Sequence, residues 1–171
     1  MIQVSDNASA DALWQAIGGA AGLDAANRRL GLTGTTAGEG ALWGLTQTTA
    51  SDQLVLLGAV FGDGTDAGAA SALSAASRSY VRGLMGGIAD GQDWGVSAAG
   101  AVTGLKNGWL SRSATGLWDI NSIGRMEAGG HGYLLAVLSK GNAGMESGIA
   151  LVEAAAEAAV AEAEAEAASG A

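Results

Sequence analysis

Apolar positions along the chain recur with two different periods. Over the first half they fall every three or four residues, as on one face of a helix. Asn7 or Ser9 can cap a helix through Asp11, Ala12, Leu13, Ala16 and Ile17, and Gly18-Gly19 stops it. A short helix is expected around Asp24 to Leu30, then a long irregular loop from Gly31 to Thr46, rich in glycine and threonine. Thr48 or Thr49 caps a helix carrying Leu54, Leu57, Val60 and Phe61. Phe61 to Asp66 reads as a loop, and Ser74 starts a helix with Tyr80, Val81, Leu84, Met85 and Ile88 as its apolar face.

After Asp90 the period shortens towards two. Leu105 to Leu110 reads as a short strand, and Leu117 to Met126 with Tyr133 to Ser139 as an antiparallel hairpin joined through Glu127 to Gly132. Asn142 can cap a last helix, where Met145, Ile149, Val152, Ala156 and Val160 make one apolar stripe. From Ala161 the Ala-Glu alternation has no apolar face, so a solvated, fraying tail is expected. The order is α+β: a helical lobe (1–90), a three-stranded antiparallel sheet with a C-terminal helix packed on it (91–160), and an acidic tail (161–171).

Composition narrows the function. Of 171 residues, 49% are hydrophobic and 15% charged, so a core is affordable, although much of it is alanine. Net charge is −9, with Lys and Arg together only 8, which argues against nucleic acid and against an anionic membrane surface. Cysteine is absent, which excludes disulfides, thiol catalysis and Cys-metal sites. No stretch approaches the roughly 18 apolar residues of a transmembrane segment, and the residues after Met1 are not expected to form a signal peptide. The Asp/Gly alternation in Phe61 to Asp66 lacks the spacing of a calcium loop and reads as solvated loop, so neither metal nor cofactor is expected.

Two short motifs carry chemistry. Ser5-Asp6-Asn7 opens the chain and Lys106-Asn107-Gly108 follows roughly a hundred positions later. Each alone is weak, because Ser, Asp and Asn are ordinary helix caps and Lys-Asn-Gly suits a turn. Together with Thr48-Thr49-Ala50-Ser51-Asp52, the strand around Lys106 and the two strands after it, they resemble the class A β-lactamase and penicillin-binding transpeptidase superfamily, from its Ser-Asp-Asn loop to its C-terminus. The resemblance implies a bacterial serine hydrolase that acts on a β-lactam or a D-Ala-type cell-wall peptide, outside the cytoplasmic membrane. It implies catalytic roles for Ser5, as a proton relay, and for Lys106, which raises the local positive potential. It makes Asn7, Asn107, Gly108, Trp109 and Arg112 substrate-binding, and Asp6 structural.

The chain departs from that pattern in four places. Asn107 stands where the family carries Thr, and Trp109 is bulkier than the usual small residue. Glu39 is the only acid in the loop where β-lactamases carry a deacylating Glu, and its spacing from Thr48 is short. Above all, no Ser-x-x-Lys nucleophile exists in the chain: Thr103 lies three before Lys106 and Val137 three before Lys140. The expectation is therefore an N-terminally incomplete, truncated member, inactive alone, with an exposed apolar edge at Tyr133 to Ser139. It would either need a partner, an N-terminal complementing segment or a homo-oligomer, or repack. The alternative is a non-catalytic binding or self-associating domain. His131 reads as a solvated turn residue, and the tryptophans as packing anchors, with Trp109 kept as a site residue.

Overall fold

The computed structural model describes residues 1–63 and 72–169. Gly64, Thr65 and Asp66 of the expected acidic loop lie outside the described residues, as do Gly170 and Ala171 of the tail. The chain divides into two compact units, Met1–Leu84 and Met85–Ala171.

In the first unit, α1 spans Asn7–Ala16. Its cap is Asp6, not Asn7 or Ser9: the Asp6 carboxylate accepts the Ser9 amide at 2.6 Å. α2 spans Gly19–Leu30 and so starts well before Asp24. The corner needs glycine, since Gly18 turns with φ 90° and a Cβ on Gly22 would collide with the Ile17 carbonyl. Gly31, at φ 79°, closes α2 by donating its amide to the Arg28 and Asn27 carbonyls.

The expected loop follows, with a 3-10 turn at Trp43–Leu45 and a single bridge between Thr36 and Gln47. Trp14 Nε1 donates to the Gly40 carbonyl at 3.1 Å and Trp43 Nε1 to Asp11 Oδ1 at 2.5 Å, which tie the loop to α1. α3 spans Ala50–Phe61 and is capped by Thr49. It buries Leu57, Ala59 and Val60, but Leu54, expected inside, is 41% exposed. α4 spans Ala75–Met85, with Ser74 Oγ accepting the Ser77 amide. Tyr80, expected on its apolar face, is 69% exposed, and Ile88 lies beyond the helix end. Arg82 explains how α4 is held: its guanidinium donates to the Val60 and Gly62 carbonyls at the end of α3, 2.6 Å each.

The second unit is a three-stranded antiparallel sheet with order β1-β2-β3 and one long helix. β1 spans Ala101–Ser111, β2 Trp118–Ala128, β3 His131–Asn142 and α5 Met145–Ser169. β1 and β3 outrun their expected bounds at both ends, and β2 starts one residue later than expected, at Trp118, but runs on to Ala128, because pairing with a neighbour recruits residues of low strand propensity. The hairpin turn shrinks to Gly129-Gly130, at φ 55° and 80°, so Glu127 pairs Gly132 and Ala128 pairs His131. His131 is thus the exposed first residue of β3, not a turn residue.

On β2, Ile120, Ser122, Gly124 and Met126 alternate onto the buried face. α5 covers it with Gly148, Val152, Ala156 and Val160, a four-residue repeat shifted from the expected stripe, in which Met145 and Ile149 are only half-buried. Asn142 does not cap α5. Its amide donates to Trp118 O and Ser139 Oγ, closing the end of the hairpin, while Ser147 Oγ accepts the Gly144 amide. The Ala/Glu stretch continues as helix to Ser169.

Candidate active site

Lys106, Asn107, Gly108 and Trp109 are consecutive on β1, which is an edge strand. Successive side chains leave opposite faces of a strand. Asn107 therefore points to the covered face, opposite its register partner Ser122, and both are buried. Lys106 and Gly108 leave on the other side. At Gly108 an added Cβ would meet nothing within 4 Å, so the backbone there lies open.

Lys106 is half-buried. Its ammonium donates to the Asn107 carbonyl and sits 5.8 Å from the centre of the Trp109 ring. Loss of water around the ammonium lowers its pKa below the usual lysine range. A cation drawn partly out of water attracts an anion more strongly than a solvated one does.

Asn107 is 4% exposed, and its amide nitrogen donates to the carbonyls of Gln92 (2.9 Å) and Trp94 (2.8 Å). Its Oδ1 is buried with no hydrogen-bond partner. The same loop is pinned twice more: the Gly95 amide donates to Glu153 of α5, and the Val96 amide to Ser122 Oγ at 3.0 Å. Gly95 is required there, with φ 90° and Ser122 Cβ only 2.5 Å from where a Cβ would stand. The loop brings the Trp94 ring to 6.0 Å from that of Trp109, tilted by 59°. Arg112 lies past this group, with its guanidinium 3.7 Å from Asp119 across the hairpin.

The other expected residues belong to the first unit. Ser5 holds a left-handed backbone, φ 49°, the sole non-glycine residue with positive φ among those described. Such conformations are costly for a side-chain-bearing residue and cluster at functional sites. Asp6 caps α1, and the hydrogen bonds it accepts from Ser9 lower its carboxyl pKa. Asn7 is the exposed first residue of α1, and Glu39 is an exposed loop residue.

Behind that loop stands a buried carboxylate whose role is not visible in the sequence. Asp52 Oδ2 accepts the Gly34 amide at 2.9 Å and Thr35 Oγ1 at 2.5 Å. Thr35 Oγ1 in turn lies 2.8 Å from Thr48 Oγ1, which accepts from Gln53 Nε2 at 2.9 Å. In the sequence Asp52 reads only as a first-turn acid of a helix. Trp94 was equally hidden, since a lone aromatic in a loop has no pattern.

A hollow of about 260 Å³ opens between Met85, Ile88, Ser97, Val102 and Leu105. None of the expected site residues lines it, so the candidate site is a strand edge and not that cavity. Among the described residues no cluster of three metal-ligating side chains exists, and no helix is long and apolar enough to cross a membrane.

The model of the Beta-lactamase enzyme family matches residues 1–163. Solved structures share the fold, and three of them are as follows. The class A β-lactamase of the last common ancestor of Gram-negative bacteria is 23% identical with a TM-score of 0.70, covering 94% of this chain and 62% of that one. PBP-A is 20% identical with a TM-score of 0.71, covering 96% and 58%. A β-lactamase from Xanthomonas campestris pv. campestris is 26% identical with a TM-score of 0.65, covering 90% and 58%. The chain therefore spans about three fifths of the length of the structures it matches. No curated protein sequence matches it.

Proposed function

The chain belongs to the Beta-lactamase enzyme family, and on that premise we propose that it is the larger part of a serine hydrolase whose complete form forms an acyl-enzyme with a β-lactam or a D-Ala-type peptide. The observation that carries this reading is the family match across residues 1–163, with Lys106-Asn107-Gly108 on an edge strand whose backbone is open at Gly108. In this reading Ser5, whose backbone is left-handed, relays the proton to the leaving nitrogen. Lys106 draws the substrate carboxylate and eases that transfer. Asn7, Gly108 and Trp109 contact the substrate. Arg112 adds a guanidinium for the carboxylate, in competition with Asp119. Asn107 acts through its backbone, because its side-chain nitrogen is committed to Gln92 and Trp94.

The nucleophile comes from a Ser-x-x-Lys segment that these residues do not include, and the complete protein works outside the cytoplasmic membrane. The test is labelling with a fluorescent penicillin. The 171-residue chain shows no acyl adduct by intact mass, and joining an N-terminal segment with Ser-x-x-Lys restores a stoichiometric one. An adduct on the chain alone, or none after completion, overturns the reading.

A second reading rests on β3. Seven successive residues, Tyr133 to Ser139, are all half-exposed on the free edge of the sheet. An apolar edge of that length recruits another strand, supplied either by the complementing segment or by a second copy acting as a non-catalytic, self-associating partner. Sedimentation over a range of concentrations separates the two: mass that grows with concentration, together with failed penicillin labelling of the completed form, favours self-association.

A further inference from the structure

Asn107 does work at this site that the family's Thr cannot do. Two carbonyl acceptors, Gln92 O and Trp94 O, lie at 2.9 and 2.8 Å from one nitrogen. Only an NH2 group carries the two hydrogens they require, so the amide orientation is fixed. A threonine hydroxyl has a single hydrogen and can serve only one of those two carbonyls. Asn107 thereby fixes the backbone of Trp94, whose ring meets Trp109 two positions along β1 from Asn107 itself. Trp109 in turn carries the Lys106 ammonium over its ring. The Lys106 ammonium thus meets the Trp109 ring, the Trp109 ring meets that of Trp94, and the backbone between Lys106 and Trp109 is open at Gly108.

We propose that Trp94 and Trp109 form an aromatic wall beside Lys106, so that the site selects a carboxylate attached to a flat or aromatic group, and that Asn107 is the positioning residue that sets the wall. This rests on the acyl-transfer reading for its setting, but it concerns recognition alone. A small carboxylate without a ring satisfies the ammonium and gains nothing from the indoles. A ring on the same anion covers apolar indole surface that otherwise faces water. The partly desolvated ammonium strengthens its hold on the anion.

The experiment titrates the 171-residue chain, without any added segment, with sodium phenylacetate and sodium acetate, followed by NMR shifts of the tryptophan indole protons. Phenylacetate binds at least tenfold more tightly than acetate and shifts the Trp94 and Trp109 signals. Lys106→Met abolishes both interactions. Trp94→Leu, at a half-buried ring, brings phenylacetate down to the affinity of acetate. Asn107→Thr does the same and removes the Trp94–Trp109 exciton band from the circular dichroism spectrum; Asn107→Gln, which keeps the NH2, restores part of the band.

Equal affinity for the two anions, both lost in Lys106→Met, overturns the aromatic wall and leaves the lysine as a bare anion site. No binding of either anion overturns the whole inference. Asn107→Thr with an intact band and unchanged preference overturns its positioning role. If Asn107→Thr fails to fold, Trp94→Leu still decides the wall. Penicillin labelling of the completed form reports on acylation separately, so failure of one does not count as failure of the other.

Discussion

Replacing Gly148 by alanine sets two known effects against each other. In a helix interior the exchange by itself gains about 1 kcal/mol, because alanine loses less backbone freedom on folding. Gly148 lies where α5 crosses β2, however. An added Cβ would lie far inside contact distance of Ile120 Cγ1, with Asn142 Cγ at 3.0 Å and Ile120 Cβ at 3.1 Å. Ile120 is fully buried, and Asn142 is held by its bonds to Trp118 and Ser139, so neither can retreat. Overpacking of that kind costs roughly 1–3 kcal/mol, and a contact as close as this falls at the upper end.

The expected net effect of Gly148→Ala is a loss of about 1–2 kcal/mol once the propensity gain is subtracted. For a unit of this size that lowers the midpoint by roughly 4–8 °C per kcal/mol in a thermal melt followed by circular dichroism. Gly83 of α4 supplies the control, since nothing lies within 4 Å of its added Cβ. Gly83→Ala stabilises by about 0.5–1 kcal/mol. Gly148→Ala at or above wild-type stability, with Gly83→Ala behaving as stated, would refute the seating of α5 on the sheet.

Other outcomes follow from the same geometry. Asp52→Ala strips the Gly34 amide and Thr35 hydroxyl of their acceptor and costs about 3 kcal/mol in urea unfolding, whereas Asp52→Asn, which keeps an oxygen in place, costs only about 1 kcal/mol. Equal losses in the two variants would contradict the assignment of both bonds to one oxygen. Lys106 has its pKa lowered by burial, so the folded chain gives up its proton before the unfolded chain does. Stability therefore rises with pH between that lowered pKa and the ordinary lysine value, and the rise is absent from Lys106→Met. Identical urea midpoints against pH in the two proteins would count against a desolvated ammonium. On the self-association reading, Ala136→Lys, which places a charge in the middle of the β3 edge, abolishes concentration-dependent mass in sedimentation without changing the circular dichroism spectrum; mass that still grows with concentration in the variant would remove β3 as the sticking edge.

The sequence by itself determined the element types, and it did so where local physics leaves one answer. Thr49 and Ser74 precede amphipathic runs and cap them. Gly18 and Gly31 end helices through left-handed turns that other residues resist. The change of period after Asp90 marks the move from helices to strands, and the order of motifs carried the family. Tertiary structure decided whatever depends on partners distant in the chain. Strand lengths were set by pairing, so Glu127 and Ala128 joined β2 against Gly132 and His131 with no strong preference of their own. Asn142 had the chemistry of a cap, but Trp118 and Ser139 claimed its amide. Asp52 became the anchor of a loop only because folding brought Gly34 and Thr35 to its carboxylate. Asn107 could not be read from its place in a three-residue motif: alternation turned its side chain inward, where the carbonyls of Gln92 and Trp94 were waiting for two hydrogens. Helix caps and glycine turns are settled by a few neighbouring residues, so sequence carries them. Where a buried polar group finds its partner is settled by the whole fold.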